Sequence, residues 1–223
     1  MTRCALALAA LALFAAGCGG GSSSSKSNGE AAKPADQVLA DAKKAAAGAH
    51  GVHIVGTFVD AGKSIGVDFS LDRDKGKGSM TQDNARADLA VVGSTAYMRA
   101  SKAFWTKFAG ATAAQLLKDR WLKGSATKQP FSGFARIMSI QGLIGNAFSS
   151  HGKLTNLGEK TYKGQKVVAI RDAKDGSILY VSATGTPYPV AATGGGSVTF
   201  TDWDKVVPVT APKGAVDIGS LGG

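Results

Sequence analysis

Cysteine and histidine, the residues that build disulfide networks and most zinc sites, are scarce in this sequence. The 223 residues include 2 cysteines and 3 histidines. Cys4 lies within an N-terminal apolar segment and Cys18 at its end, so a chain cut before Cys18 has no second cysteine for an internal disulfide. His50, His53 and His151 lack the spacing of a helical zinc motif. We therefore predict no metal site, no cofactor and no disulfide framework.

Catalytic signatures are missing as well. There is no Gly-x-Ser-x-Gly elbow, no P-loop and no dinucleotide fingerprint after a strand-like segment. Residues 23–26 match the Ser-x-x-Lys pattern of penicillin-binding enzymes, but no Ser-Asp-Asn or Lys-Thr-Gly partner follows. Asp202 and Asp204 flank Trp203, and alternation predicts both on the polar face of a strand. We predict a protein that is not an enzyme. A hydrolase whose two catalytic carboxylates are brought together by the fold remains an alternative, besides the two non-enzymatic functions given below.

Long apolar runs are absent, and the longest stretch lies at the N-terminus. Arg3 supplies a positive start, residues 5–14 are apolar, and small residues close the segment before Cys18, which is the pattern of a signal peptide. The stretch is shorter than the roughly 20 residues that a membrane-spanning helix needs. The residues before Cys18 resemble the bacterial lipobox, although the usual leucine three positions earlier is Ala15. We predict a lipoprotein signal peptide over residues 1–17.

Cleavage before Cys18 leaves a cysteine at the new N-terminus, where we expect acylation. Two or three acyl chains, at about 0.8 kcal/mol per buried methylene, give stable anchoring. The alternative is an ordinary secretory peptide that is cut nearby and leaves Cys18 as a free thiol. Residues 18–33 are rich in Gly and Ser and are predicted to form a flexible tether. The expected location is the extracytoplasmic face of the cell membrane, through the lipidated N-terminus.

The chain is basic. Its 26 Lys and Arg residues outnumber its 16 Asp and Glu residues, and the formal net charge is +10. Removing residues 1–17 takes away Arg3 as the only charged residue and leaves +9. Outside the cytoplasm this charge favours anionic lipid head groups or acidic wall polymers as partners over nucleic acid, at about 1 kcal/mol per basic residue near an anionic surface. The alternative is that the lysines serve only solubility.

Residues 34–223 match the size of one domain, and their first part predicts a helix followed by strands. Residues 34–49 have apolar side chains at helical intervals, with Pro34 suited to the first turn. From residue 51 the period changes to two, with apolar residues alternating along 52–58, 65–71, 78–81 and 86–92, and with Tyr97 and Met98 in a further strand. Short turns separate these segments, so we expect an antiparallel meander.

The middle of the domain breaks this alternation. Apolar residues recur at helical spacing in 111–121 and again in 131–148, and alternation resumes in 154–157, 162–171, 177–181, 187–192 and 197–203. About five strands therefore stand on either side of a helical insertion. This order predicts an α+β fold with one long curved antiparallel sheet, a half-barrel, whose helices pack on the concave face.

Several segments of the second half resemble a known family. They are GQKVVAI at 164–170, DGSILYV at 175–181, GTPYPV at 185–190, VTFTDW at 198–203 and VPVTAP at 207–212. They are similar to the closing strands of the mycobacterial and actinobacterial lipoproteins grouped as the LppX, LprA, LprF and LprG family. An earlier segment, VVGSTAYM at 91–98 followed by Trp105, is similar to that family's central strand pair. Together these segments span most of residues 52–218.

The resemblance implies a half-barrel with helices across its mouth and an apolar pocket for a lipid or glycolipid, a fold that lipoprotein carriers of the LolA and LolB type share. In this chain, alanine and glycine replace many of the family's larger apolar residues. The large side chains of the insertion are the candidates for lining a cavity, and Gly133, Gly142 and Gly145 would let this cover move. The predicted ligand-binding residues are Phe104, Trp105, Phe131, Phe134, Ile137, Met138, Leu143, Ile144 and Phe148.

Two functions remain open from the sequence. The leading hypothesis is a membrane-anchored protein that binds a lipid or other apolar ligand and passes it through the cell envelope. The alternative is an envelope scaffold with the same fold, a packed core and a basic docking surface, because a filled core and a ligand cavity produce the same apolar pattern. The oligomeric state does not follow from the sequence.

Overall fold

The computed structural model describes residues 26–147, 151–205 and 208–218, and for residues 144–147 the backbone only. The predicted acylation site Cys18 and the predicted cavity residue Phe148 lie outside the described residues, as does the side chain of Ile144. Within the described ranges a sheet of twelve strands carries four helices on one face. The predicted α+β fold with a long curved antiparallel sheet is confirmed.

The elements follow the predicted order, with three differences. The first helix of the insertion begins at Lys102 rather than at residue 111, because the Ser101 side chain accepts a hydrogen bond from the Phe104 amide and caps it. The strand Leu122–Ser125 and the short final strand Val216–Asp217 were not predicted. After a 3-10 turn at Glu30–Ala32, the elements are α1 Ala35–Gly48, β1 Val52–Asp60, β2 Lys63–Leu71, β3 Gly76–Gln82, β4 Ala85–Val92, β5 Thr95–Ala100, α2 Lys102–Leu117, β6 Leu122–Ser125, α3 Ser132–Ala135, α4 Ile140–Ala147, β7 Leu154–Tyr162, β8 Gln165–Asp172, β9 Ile178–Ser182, β10 Pro189–Gly194, β11 Gly196–Thr201 and β12 Val216–Asp217.

The sheet consists of two meanders joined by one long-range strand pair. The strand order is β12-β6-β5-β4-β3-β2-β1-β11-β10-β9-β8-β7. Strand β1 pairs with β11 in an antiparallel register that places Ile54 opposite Phe200. The pair β6 and β12 is parallel, and the remaining pairs are antiparallel. The helical insertion lies between the two meanders in sequence and folds back over the concave face of the first.

The core lies between the concave face and the helices, in two clusters. Helix α1 buries Val38, Leu39 and Ala42 against Val168 and Val181 of the second meander. Small alanine side chains on α1 let its backbone approach the sheet closely. The larger cluster lies over the first meander and contains Phe69, Leu71, Leu89, Trp105, Phe131, Met138 and Ile140. Each fully buried large side chain contributes about 1.5–3 kcal/mol to folding, so these clusters hold the helices on the sheet.

The turn after β11 connects the two meanders at the start of β1. Trp203 stacks on Tyr188 with ring centroids 4.6 Å apart, and its indole Nε1 donates to the Pro189 carbonyl at 2.8 Å. The Tyr188 hydroxyl donates to Asp204, which also accepts from the His50 amide at 3.0 Å. Asp202 and Asp204 have positive φ angles of 55° and 63°, so they belong to this turn and not to a strand face as predicted. Asp204 therefore has a structural role.

Because of the contact between Tyr188 and Asp204, we expect the stability of the protein to fall at alkaline pH. Burial and the hydrogen bond to Asp204 raise the pKa of Tyr188 to about 12. Because an unfolded tyrosine titrates near pH 10, the unfolded chain loses this proton first, and the free energy of unfolding falls between about pH 10 and 12. We expect Tyr188→Phe to flatten the curve of unfolding free energy against pH in this window, measured by urea denaturation. The control is Tyr162→Phe, whose ring stacks on Tyr180 away from this turn, and the change of slope in Tyr188→Phe is measured against it. An unchanged slope in Tyr188→Phe would contradict the assignment.

Candidate functional site

A cavity of about 230 Å³ lies between the concave face of the first meander and the helical insertion. Two methionines and aliphatic side chains form its floor, and three phenylalanines of α2 and α3 form its cover. The polar lining residues are Thr81 and Gln82. The full lining is Ile65, Met80, Thr81, Gln82, Ala85, Ala87, Leu89, Met98, Phe104, Phe108 and Phe134.

The period of the strands places the floor residues. Side chains two residues apart share a face of a strand, so Ala85, Ala87 and Leu89 of β4 all point to the concave side. The register places Met80 opposite Ala87 and Leu89 opposite Met98. Alanine at positions 85 and 87 leaves room that a larger side chain would fill. The alanine-rich composition thus creates space here and does not remove it.

Helix α2 covers the cavity and is broken at Gly110, which has a φ angle of 84°. Before the break, the Lys107 ammonium donates to Gln82 Oε1 at 2.8 Å and to Asp83 Oδ2 at 3.2 Å, which fixes α2 over the turn between β3 and β4. The Phe104 and Phe108 rings pack with centroids 4.6 Å apart. Phe108 is 59% exposed although it lines the cavity, so it lies at the mouth.

The predicted ligand-binding residues divide into three groups. Phe104 and Phe134 line the cavity. Trp105, Phe131 and Met138 are buried in the core, and Ile137 and Leu143 pack against it without lining the cavity. The Ile144 side chain and Phe148 lie outside the described residues. The sheet residues of the floor were not among the predicted set, although their alternation in the sequence was visible.

The chemistry of the cavity is that of an apolar pocket. None of the side chains that line it is ionisable, so the lining provides neither a general acid nor a general base. Next to it, the buried Trp105 Nε1 has no hydrogen-bond partner among the described residues. Such an unpaired donor costs about 1–3 kcal/mol. The arrangement can accommodate an apolar group and, through its open mouth, admit it from solvent.

Titratable side chains come together elsewhere, on the convex face. His53 Nε2 lies 2.8 Å from Asp68 Oδ1, and its Nδ1 lies 4.0 Å from Asp202 Oδ2. The described part of the chain does not assemble three His, Cys, Asp or Glu side chains into a metal site. No helix in the described ranges combines the length and the hydropathy needed to cross a bilayer.

Comparison with known proteins finds no matching family model and no matching curated protein. The chain is similar to LprF and LppX. The structure of LprF from Mycobacterium bovis matches with 18% identity and a TM-score of 0.48, over 81% of this chain and 97% of that one. The lipoprotein LppX of Mycobacterium tuberculosis matches with 18% identity and a TM-score of 0.49, over 78% of this chain and 99% of that one.

A conserved protein of Thermus thermophilus, of uncharacterised function, matches at 8% identity and a TM-score of 0.42, over 82% of this chain and 97% of that one. LprF and LppX belong to the family that the sequence segments resemble. At 18% identity the likeness concerns the fold alone.

Proposed function

We propose that the protein is an extracytoplasmic lipoprotein, anchored in the membrane through Cys18, that binds an apolar ligand in the concave cavity and passes it through the cell envelope. The ligand class is a lipid or another molecule with an acyl-like chain. The observation that carries the proposal is a cavity with an uncharged, mainly apolar lining that opens beside the exposed Phe108 ring. A folded protein gains nothing from leaving such space empty, because the lining loses packing contacts.

The size of the cavity limits what it holds. About 230 Å³ is below the roughly 300–1,000 Å³ of typical ligand pockets, so the space suits one apolar chain and not a whole lipid. Rotation of the Phe108 side chain at the mouth would enlarge it, since this ring is 59% exposed. Met80 and Met98 in the floor adapt to different shapes because their side chains are unbranched and flexible.

The small volume of the cavity is also compatible with a second candidate function, that of a scaffold protein. A scaffold protein needs an interior packed to ordinary density, and Phe131 and Met138 are 1% and 0% exposed beside the cavity. In this reading the 230 Å³ is a packing defect under α2 and the basic surface binds the cell wall or a protein partner. The two functions differ in one observable, which is whether the purified protein carries an apolar molecule.

Native mass spectrometry with lipid extraction distinguishes them. The full chain, purified in detergent from membranes of its own host, is expected to carry one apolar molecule per protein. We expect Phe134→Asp to lose this molecule, because a carboxylate in the apolar lining is costly to desolvate. The control is Leu157→Asp, at a 37% exposed position on β7 that does not line the cavity, and it should retain the molecule.

A second variant tests the cavity without the risk that a buried charge unfolds the protein. Ala87 is 4% exposed and lines the floor, so Ala87→Leu fills the cavity without introducing a charge. Loss of the bound molecule in both variants, with circular dichroism equal to the parent, supports ligand binding in the cavity. A parent protein without a bound molecule would favour the scaffold function, and retention in both variants would place the ligand elsewhere.

A further inference from the structure

A second and larger space lies on the opposite, convex face of the sheet. It has a volume of about 360 Å³, within the roughly 300–1,000 Å³ of typical ligand pockets. We call it the convex groove. Its lining is polar, in contrast to the concave cavity, and consists of Asp68, Ser70, Lys77, Gly78, Ser79, Arg86, Asp88, Leu89, Ala90, Trp121, Thr210 and Pro212.

The C-terminal segment contributes to the groove. Ser79, Ala90 and Tyr97 occupy positions that alternate with the concave core residues, yet they are only 8%, 3% and 8% exposed. Thr210 and Pro212 of the segment before β12 line the groove together with Ser79 and Ala90. The segment is fastened where β12 pairs with β6, and the Val216 amide donates to the Trp121 carbonyl at 2.8 Å.

The two carboxylates of the groove are held by hydrogen bonds to cationic or imidazole side chains. Asp88 accepts from Nε and Nη2 of Arg86 at 3.0 and 2.8 Å, and from the same atoms of Arg99 at 3.1 and 2.8 Å. The Arg99 guanidinium lies over the Trp121 ring, 5.0 Å from its centroid. Asp68 is bonded to His53 at 2.8 Å. These bonds restrain the carboxylates and their partners before any ligand arrives, which lowers the entropic cost of binding.

The balance of charge defines the kind of ligand. The ionisable residues that line the groove are two cations, Lys77 and Arg86, and two anions, Asp68 and Asp88. The lining itself therefore carries no net charge and gives a phosphate-rich or acidic polymer no net attraction, and the Arg99 guanidinium beside it is engaged by Asp88 and by the Trp121 ring. A hydroxyl group of a ligand can both donate and accept a hydrogen bond. It can therefore donate to a carboxylate of the groove and accept from its ammonium, guanidinium or serine groups. The Trp121 indole adds an apolar surface.

We propose that the convex groove binds a neutral carbohydrate. The sugar would lie across β2, β3 and β4 under the C-terminal segment, with its hydroxyls on Asp68, Lys77, Ser79 and Asp88. Two molecules of the cell envelope can provide a neutral carbohydrate, namely a wall polysaccharide and the head group of a glycolipid. The proposal does not rest on the concave cavity, because the sheet separates the two sites and their lining residues are different apart from Leu89.

Calorimetric titration of the full chain in detergent micelles tests this binding. One arm uses solubilised neutral cell-wall polysaccharide of the host, and the other uses the water-soluble head groups of its deacylated glycolipids. We expect saturable binding in at least one arm, and the arm that binds identifies the source. Ser79→Val and Lys77→Met should each weaken binding about two- to tenfold, the effect of losing one hydrogen bond.

The variants are chosen so that misfolding does not explain the loss. Lys77 is exposed and forms no ion pair among the described residues, so Lys77→Met is expected to leave the fold intact, and circular dichroism checks the fold of this variant and of Ser79→Val at its buried position. Thr57→Val, on the same convex face but outside the groove, is the matched control and should bind like the parent. The proposal is overturned if neither probe binds, if both groove variants bind like the parent, or if the control weakens binding equally. Because no apolar ligand takes part, these outcomes are independent of the concave cavity.

Discussion

Replacing Cys18 by alanine is expected to release the protein from the membrane into the aqueous fraction. The sequence before Cys18 has a positive start, a short apolar stretch and small residues at the cleavage position, and Cys18 is the only cysteine that such cleavage would leave. Without its thiol no acyl chain can be attached. The apolar stretch before position 18 is shorter than the roughly 20 residues that span a bilayer, so by itself it is not expected to hold the variant in the membrane.

The measurement is fractionation of host cells followed by mass spectrometry of the N-terminal peptide. The parent is expected in the membrane fraction with an acylated Cys18 peptide, and Cys18→Ala without acyl mass. The control is Cys4→Ala, which lies in the predicted signal peptide and should leave both results unchanged. Membrane association of Cys18→Ala equal to that of the parent, or an unmodified Cys18 peptide in the parent, would refute the lipid anchor.

The second large effect is expected at Gly56, where β1 meets β11. A Cβ atom at this position would lie 2.1 Å from the Ser197 carbonyl oxygen and 2.7 Å from the Val198 Cα, both backbone atoms. Neither can move without opening the strand pair that joins the two meanders. We expect Gly56→Ala to lower the free energy of unfolding by about 2–6 kcal/mol, the combined range for backbone strain and overpacking.

Urea denaturation followed by circular dichroism measures this loss. Gly66 provides a matched control on the neighbouring strand β2, where a Cβ atom would meet only the Thr81 carbonyl oxygen at 3.8 Å. Gly66→Ala should therefore change the free energy of unfolding little, or raise it slightly through the reduced entropy of the unfolded chain. Equal stabilities of the two variants would mean that the close approach of β1 and β11 does not constrain the fold.

The two proposed sites use the two faces of one sheet in different ways. On the concave face, Ala85 and Ala87 leave space below α2, and the lining carries no charge. On the convex face, Asp68 and Asp88 are bonded to cationic or imidazole partners and the lining is polar. A lipid chain and a sugar would therefore bind on opposite sides of the sheet. If both sites are occupied, the protein would connect an apolar cargo to the carbohydrate of the envelope.

The sequence by itself determined the local elements and their order. Apolar spacing along residues 34–49 indicated α1, and period-two alternation indicated the strands of both meanders, because these periods follow from the geometry of one element. It did not indicate the start of α2 at Lys102, since the Ser101 cap depends on one side-chain hydrogen bond. Phe104 and Phe134 were predicted at the cavity, whereas Trp105, Phe131 and Met138 had the same pattern and proved to be core residues.

Only the tertiary structure decided what each face of the sheet meets. The pairing of β1 with β11 joins residues almost 150 positions apart, as at Ile54 and Phe200, and no local pattern specifies it. The convex groove depends on the C-terminal segment, which has no periodicity of its own and whose Thr210 and Pro212 line the groove. Period and propensity act over a few residues, whereas the partner of a strand or the roof of a groove is chosen by the burial and hydrogen bonding of the whole chain.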